Sequence, residues 1–161
     1  MKITFLGTGT SQGIPMIADK DPVSMSNNPK DKRLRSAIMI SWGTNCYIID
    51  CGPDFRQQML RENVHSINGV LFTHEHADHT AGIDDLRPFT YKMGEVPIYA
   101  QKRVIDNLKI RFSYIFETKN RYAGAPKLSE NIVGSSSFLL QEMLVTPINV
   151  MHGKLPIIGY R

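Results

Sequence analysis

The pattern of apolar and polar residues predicts a chain built largely from short strands. Residues 2–6 alternate between polar and apolar side chains, which is the two-residue period of a strand with one buried face. Similar alternation or short apolar runs predict the other strands: 36–42 and 45–51, paired as a hairpin about Gly43-Thr44, then 68–73, 97–100, 138–151 in two pieces, and one that starts at 157–161.

Helices are predicted in the spaces between these strands. Residues 53–61 form a helix with Pro53 in its first turn, and residues 101–111 have the spacing of an amphipathic helix. A further helix is expected to start near Thr80 or Gly82, and glycine, proline and serine mark loops at 7–13, 14–34 and 119–137. These elements predict one domain of the α/β (α+β) class, with helices covering a mixed or antiparallel sheet.

Bulk properties are those of an ordinary globular protein. The 161 residues are 42% hydrophobic and 21% charged, and no apolar run approaches the length needed to span a membrane or serve as a signal peptide. Cys46 and Cys51 are expected on one strand, roughly 16 Å apart, which is too far for a disulfide and favours a cytoplasmic protein. The net charge of +4 suits an anionic substrate without establishing nucleic-acid binding.

Candidate chemistry is concentrated in one segment that follows the strand predicted at 68–73. The segment carries three of the five histidines in the pattern H-x-H-x-D-H, as Thr73-His74-Glu75-His76-Ala77-Asp78-His79. Imidazole and carboxylate groups are usual ligands of zinc, manganese and iron. Average residue usage places the chance occurrence of this pattern on the order of one in ten thousand. The segment therefore predicts a metal site on a loop at the carboxyl end of a strand.

Two residues outside this segment have both a structural and a functional interpretation. His152 follows a strand-like run, where a lone histidine is more often structural than a ligand. Asp50 ends the apolar run Ile48-Ile49, so it either forms a strand-end turn or accepts hydrogen bonds that orient the metal-binding loop.

Charged residues near these segments are also open to two interpretations. Asp84 and Asp85 either cap a helix or, together with Arg87, contact the substrate or the ligand residues. The basic run of Lys30, Lys32, Arg33 and Arg35 is either a solvated loop or a phosphate contact.

Taken together, these motifs resemble the metallo-β-lactamase fold superfamily. The H-x-H-x-D-H segment, Ile49-Asp50-Cys51-Gly52 and the later His152 match its general pattern. A narrower likeness is to the subgroup that includes the phosphoribosyl 1,2-cyclic phosphate phosphodiesterase, which is related to tRNase Z. The runs that carry this likeness are residues 6–15, 32–36, 50–56 and 79–89, with Gly153 and Gly159-Tyr160-Arg161.

The resemblance implies an αββα sandwich with two divalent metal ions, zinc or manganese, at the sheet edges. His74, His76 and His152 would hold the first ion. Asp78 and His79 would hold the second and would be the catalytic residues, while Asp50 would orient the ligand loop. A water ionised by the metals would attack phosphorus. Asp85 and Arg87 would be candidate substrate contacts.

The implied function is a metal-dependent phosphodiesterase acting on a small cyclic or nucleotide-like phosphate. The alternatives are a ribonuclease that processes tRNA 3′ ends, with tRNA as its partner, and a non-catalytic protein that binds metal or nucleotide on this fold. No membrane partner is expected.

Two departures from the family pattern lead to further expectations. Residues 18–25 contain no cysteine, so the separate structural zinc of some subgroup members is not expected. The family's remaining ligands of the second metal come later than Arg161. We therefore expect residues 1–161 to be a hydrolase domain truncated at its C-terminus, comprising about the N-terminal two-thirds of the fold. Such a chain would be inactive alone or would associate as a homo-oligomer through an open apolar face.

Overall fold

A six-stranded mixed sheet organises the chain, whose residues 1–161 are all described by a computed structural model. The strand order is β1-β2-β3-β4-β5-β6, with antiparallel pairing from β1 to β3 and parallel pairing from β3 to β6. Consequently β1 and β3 to β6 all point their carboxyl ends toward one edge of the sheet. The strands are β1 Lys2–Gly7, β2 Ala37–Trp42, β3 Asn45–Ile49, β4 Gly69–Leu71, β5 Val96–Ala100 and β6 Leu128–Ile132.

Two hairpins and five helices complete the fold. The strands of the hairpins are β7 Phe138–Leu140 and β8 Met143–Val145, then β9 Pro147–His152 and β10 Leu155–Tyr160. The helices are α1 Phe55–Arg61, α2 Ala77–Thr80, α3 Arg87–Met93, α4 Lys102–Arg111 and α5 Ser113–Phe116, with 3₁₀ turns at Pro29–Asp31 and Ile83–Leu86. None of the helices is long and apolar enough to cross a membrane.

The sheet buries apolar side chains on both of its faces, so its inner strands carry continuous apolar runs as well as alternating positions. One face supplies Leu6, Met39, Ile48 and Ile98 to a core of 20 buried residues shared with the helices. The opposite face supplies Tyr47 and Leu71, which form a smaller cluster with Leu140 and Val145 of the β7–β8 hairpin. The mixed α/β architecture predicted from the sequence is therefore confirmed, with helices on one side of the sheet and hairpins on the other.

Several predicted element boundaries are wrong. The loop predicted at 119–137 contains β6, and the region 138–151 holds strand segments in three pieces instead of two. The helix Ser113–Phe116 was not predicted. Residue 51 lies beyond β3, so the two cysteines do not share a strand, although both thiols are free. Strand β3 stops early because Asp50 adopts a left-handed backbone with φ of +65°, a conformation that cannot continue a strand.

Candidate metal centre

The H-x-H-x-D-H segment, Thr73 to His79, is separated from the end of β4 only by Phe72. It lies at the sheet edge where the parallel strands end. Residues 73–76 carry no strand pairing, and His76 directly precedes α2. The prediction that the whole segment is a loop is therefore only half correct, because Asp78 and His79 lie in that short helix. The helix starts at Ala77, three residues before the earliest predicted start, and Thr80 stabilises it by donating a hydrogen bond to the His76 carbonyl at 2.8 Å.

Three histidines converge at this edge. His152 is the last residue of β9. Its ring centroid lies 5.5 Å from the ring centroid of His74 and 5.4 Å from that of His76. One ring nitrogen from each histidine can be chosen so that all three lie within 4.8 Å of one another. His74 is buried, whereas His76 and His152 are exposed. The arrangement is a cluster that can hold a metal ion, with one side open to solvent.

Hydrogen bonding determines which nitrogen His74 presents to this cluster. The hydroxyl of Thr73 donates its single proton to Asp50 Oδ2 at 2.9 Å, so its oxygen is left to accept from His74 Nδ1, also at 2.9 Å. His74 Nε2 then carries the lone pair. Burial, followed by the nearby His79 charge, lowers the pKa of His74 to about 4, which keeps the ring neutral at pH 7.

The His74 Nε2 atom supplies a direct test of whether these residues fit a metal ion. It is buried and has no hydrogen-bond partner. A buried polar atom without a partner is costly, and it needs a ligand to justify its position. An unprotonated imidazole nitrogen facing two further histidines is what a zinc or manganese ion requires. The residues therefore fit the metal that the fold implies.

Asp78 and His79 lie beside this cluster. The ring of His79 is 4.1 Å from that of His74, centroid to centroid, and its Nε2 atom is 3.1 Å from Asp78 Oδ2. On its other side, His79 Nδ1 lies 2.7 Å from Asp50 Oδ2. Burial alone would lower the pKa of His79, but the hydrogen bond and negative charge of Asp50 outweigh it and raise the pKa. Their role as ligands of a second ion stays a prediction.

Asp50 is the centre of these contacts. It is 5% exposed, accepts from the Thr73 amide at 2.8 Å and the Thr73 hydroxyl, and pairs with His79. Thus one carboxylate touches the residue before His74 and also touches His79. The structure gives Thr73 a role that sequence reasoning missed; the available signal was its position between a buried strand and the first histidine.

Glycine allows the metal-binding segment to pack directly on the chain after β3. The amide of Cys51 donates to the His79 carbonyl at 2.8 Å, and the amide of Gly82 donates to the Cys51 carbonyl at 2.9 Å. A Cβ atom at Gly52 would lie 2.0 Å from the Asp78 carbonyl oxygen. The two backbones are therefore too close for any side chain at position 52.

We expect Gly52→Ala to displace α2 and to lower the free energy of unfolding by roughly 1–3 kcal/mol or more, as overpacking does. Urea denaturation of the purified variant measures the loss. Gly134→Ala is the matched control, because a Cβ at that position meets no atom within 4 Å. Equal stability of the two variants would contradict this packing.

Asp85 and Arg87, the candidate substrate contacts, are not part of the histidine cluster, and that role stays a prediction. The guanidinium of Arg87 is engaged by Asp84 at 2.6 and 2.7 Å, and Tyr114 also donates to Asp84 at 2.7 Å. Burial, followed by that hydrogen bond, raises the pKa of Tyr114 to about 12. Asp85 lines a separate pocket of about 230 Å³ together with Arg56, His65 and Lys92, among other residues. The structure does not bring Asp85 or Arg87 into the histidine cluster.

Comparison with known proteins identifies relatives of similar sequence and fold. A protein from Porphyromonas gingivalis named octanoyltransferase is 41% identical over 164 residues, which cover all of this chain and 33% of that protein. Ribonuclease Z of Methanocaldococcus jannaschii is 31% identical over 71% of this chain and 34% of its own length. The crystal structure of a diphosphatase from the PhnP family has a TM-score of 0.90 and 36% identity, covering 99% of this chain and 60% of that one.

The chain thus spans about one third of the length of these two curated relatives. Family membership follows from a match over most of the chain, which includes Asp50, the H-x-H-x-D-H segment and His152. Residues 45–161 match the family model of the Beta-lactamase superfamily domain, and the protein belongs to that family.

Proposed function

We propose that the protein is a metal-dependent phosphodiesterase whose substrate is a small cyclic or nucleotide-like phosphate. The observation that carries this proposal is the cluster of His74, His76 and His152, in which His74 Nε2 is buried without a hydrogen-bond partner. The 36% identity to a PhnP-family diphosphatase over 99% of this chain supports a phosphorus-centred reaction.

In this proposal the three histidines hold one ion and Asp78 with His79 contributes to a second. A bound divalent metal supplies Lewis acidity: it lowers the pKa of water and offsets charge on phosphoryl oxygens. The chain's own residues set the geometry. Asp50 and Thr73 fix the ring orientation of His74 and His79, and exposed His76 and His152 leave the solvent side open for a substrate.

The substrate class can be tested against the chemistry named for a relative. We expect turnover of bis(4-nitrophenyl) phosphate and of a 2′,3′-cyclic nucleotide after loading with zinc or manganese, and no comparable turnover of an octanoyl thioester or a β-lactam. A phosphodiester carries oxygens whose negative charge bound metal cations stabilise. The net charge of +4 also favours an anionic substrate. Initial rates for all four compounds should be measured at one metal concentration.

The control for this experiment is the His76→Ala variant, which must lose turnover if the histidine cluster is responsible. Faster turnover of the thioester than of every phosphodiester would contradict the proposed substrate class. Tight metal binding without any turnover would favour a non-catalytic protein on this fold.

Cleavage of tRNA precursors is the second candidate function, and one structural observation favours it. A pocket of about 300 Å³ is lined by Lys30, Lys32, Arg33 and Arg61 beside the carboxyl end of β1. That strand end lies on the same sheet edge as the metal-binding segment, so an extended polyanion could contact both. Processing of a tRNA precursor with a 3′ extension, monitored by gel electrophoresis, distinguishes this function from hydrolysis of small phosphodiesters.

A further inference from the structure

Glu75, the residue between the first two histidines, does not point freely into solvent. Its side chain is 17% exposed, its Oε1 atom lies 3.1 Å from an Arg103 nitrogen, and its Oε2 atom is buried without a hydrogen-bond partner. A carboxylate in such a position needs a fixed positive partner, because removing the charge from water is costly. Arg103, on α4, supplies that partner.

The same guanidinium reaches a second part of the site. Its Nη2 atom donates to the Pro156 carbonyl at 2.7 Å, and Pro156 lies on β10, next to the Leu155 that pairs with His152. One side chain therefore joins the segment of His74 and His76 to the hairpin that carries His152. Arginine suits this task because its planar fork can form hydrogen bonds in two fixed directions at once.

Apart from the burial of Ile158 and the packing of Tyr160, the β9–β10 hairpin is joined to the metal-binding side of the sheet by few hydrogen bonds. Strand β9 is exposed at residues 148–152. Strand β10 donates two hydrogen bonds to the residues that follow β4: the Ile158 amide donates to the Thr73 carbonyl at 3.2 Å, and the Tyr160 hydroxyl donates to the Phe72 carbonyl at 2.8 Å. Both of these hydrogen bonds come from the C-terminal half of β10. Arg103 acts at its other end, close to the turn and to His152.

Helix α4 also holds the backbone of the metal-binding segment. Arg111, two turns after Arg103, donates to the Glu75 carbonyl at 2.6 Å and to the Thr80 hydroxyl at 3.0 Å. The loop is thus fixed by main-chain and side-chain contacts from the same helix. Because Arg103 and Arg111 lie on one helix, the metal-binding segment and the hairpin are held against the same element.

We propose that Arg103, paired with Glu75, is a positioning residue that sets the separation between His152 and the His74–His76 pair. The effect of Arg103 on metal binding rests on the proposed function. Its role in joining the metal-binding segment to the β9–β10 hairpin rests only on its contacts with Glu75 and Pro156. It does not place Arg103 in contact with metal or substrate.

Cobalt(II) binding by competition with a chromophoric chelator tests the proposal. We expect Arg103→Ala to weaken binding about 10–100-fold, the range found when groups behind a metal ligand are removed, and to change the visible absorption of the bound cobalt. Lys102→Ala is the matched control: the neighbouring lysine pairs only with Asp106 on the exposed side of the same helix, so affinity and spectrum should stay unchanged. Arg103→Lys restores the charge without the two-directional contact and should not restore the parent spectrum.

A second readout needs no metal. Amide hydrogen exchange in the metal-free protein should show faster exchange in 155–158 of Arg103→Ala than in the parent. Cobalt binding with parental affinity and spectrum, together with unchanged exchange, would overturn the proposal. If the parent itself binds no cobalt but the hairpin of the variant loses protection, the proposed function fails and the positioning role stands. Should Arg103→Ala fail to fold, Glu75→Gln removes the charge pair with little change in shape and is held to the same two readouts.

Discussion

Replacing His76 by alanine is expected to abolish metal retention by the protein. The change removes one of three imidazoles whose ligand atoms lie within 4.8 Å of one another, and alanine offers no atom in its place. Loss of a group that merely supports a ligand costs about 10–100-fold in affinity, so loss of the ligand itself should exceed about 100-fold. Equilibrium dialysis against zinc or manganese, followed by elemental analysis, measures the effect.

His65→Ala is the matched control for this substitution. His65 is exposed and lines the pocket shared with Asp85, away from the cluster, so its loss should leave metal content unchanged. His76→Ala is not expected to unfold the protein, because its side chain is exposed and the core contains no part of it. Equal metal content in the two variants would refute the assignment of the site.

Asp50→Asn is expected to disrupt both halves of the site without changing the size of the side chain. If the new amide nitrogen takes the place of Oδ2, it donates toward Thr73 Oγ1 and His79 Nδ1, which now accept protons. His79 must then carry its proton on Nε2, and the Thr73 hydroxyl is freed to donate to His74 Nδ1, which moves the His74 proton to Nε2 as well. If the new amide nitrogen instead takes the place of Oδ1, it faces the backbone N–H of Thr73, so two hydrogen-bond donors point at each other.

Either orientation deprives the metal of an imidazole lone pair or leaves a buried donor unsatisfied. We expect metal affinity to fall about 10–100-fold. The free energy of unfolding should fall by about 1–3 kcal/mol, the cost of a buried polar group without a partner. Nitrogen-15 NMR of the metal-free protein reports the tautomers directly. Asp106→Asn, at an exposed position, is the control, and a parental tautomer pattern in Asp50→Asn would disprove this argument.

Most of the sheet could be predicted because its strands are alternating sequences or short apolar runs bounded by turn residues. Strand β6 could not, because its sequence Leu-Ser-Glu-Asn-Ile lies at the sheet edge and is only partly buried, which leaves polar residues without a clear period. The end of β3 at Asp50 could not be predicted either. Asp50 has a left-handed backbone and accepts a hydrogen bond from Thr73, 23 residues later in the chain, and no local pattern encodes that contact.

The candidate site shows the same division. Ligand types at short spacing made the H-x-H-x-D-H segment visible in the sequence, whereas His152 was an ambiguous residue whose meaning came from family resemblance. Arg103 carried no signal at all. Its importance comes from two contacts with residues 28 and 53 positions away, and no local pattern encodes such distances.

The convergence of His76 and His152 has a consequence for folding thermodynamics. The two residues are 76 positions apart (152 minus 76), and an ion held by both would cross-link the chain as a disulfide does. Closing a loop of that length removes conformational entropy from the unfolded chain worth about 4.5 kcal/mol on the disulfide scale. That cross-link would act only through an ion that stays bound on unfolding. An ion that dissociates on unfolding would instead stabilise the folded chain by mass action, and this stabilisation would increase with the concentration of free metal.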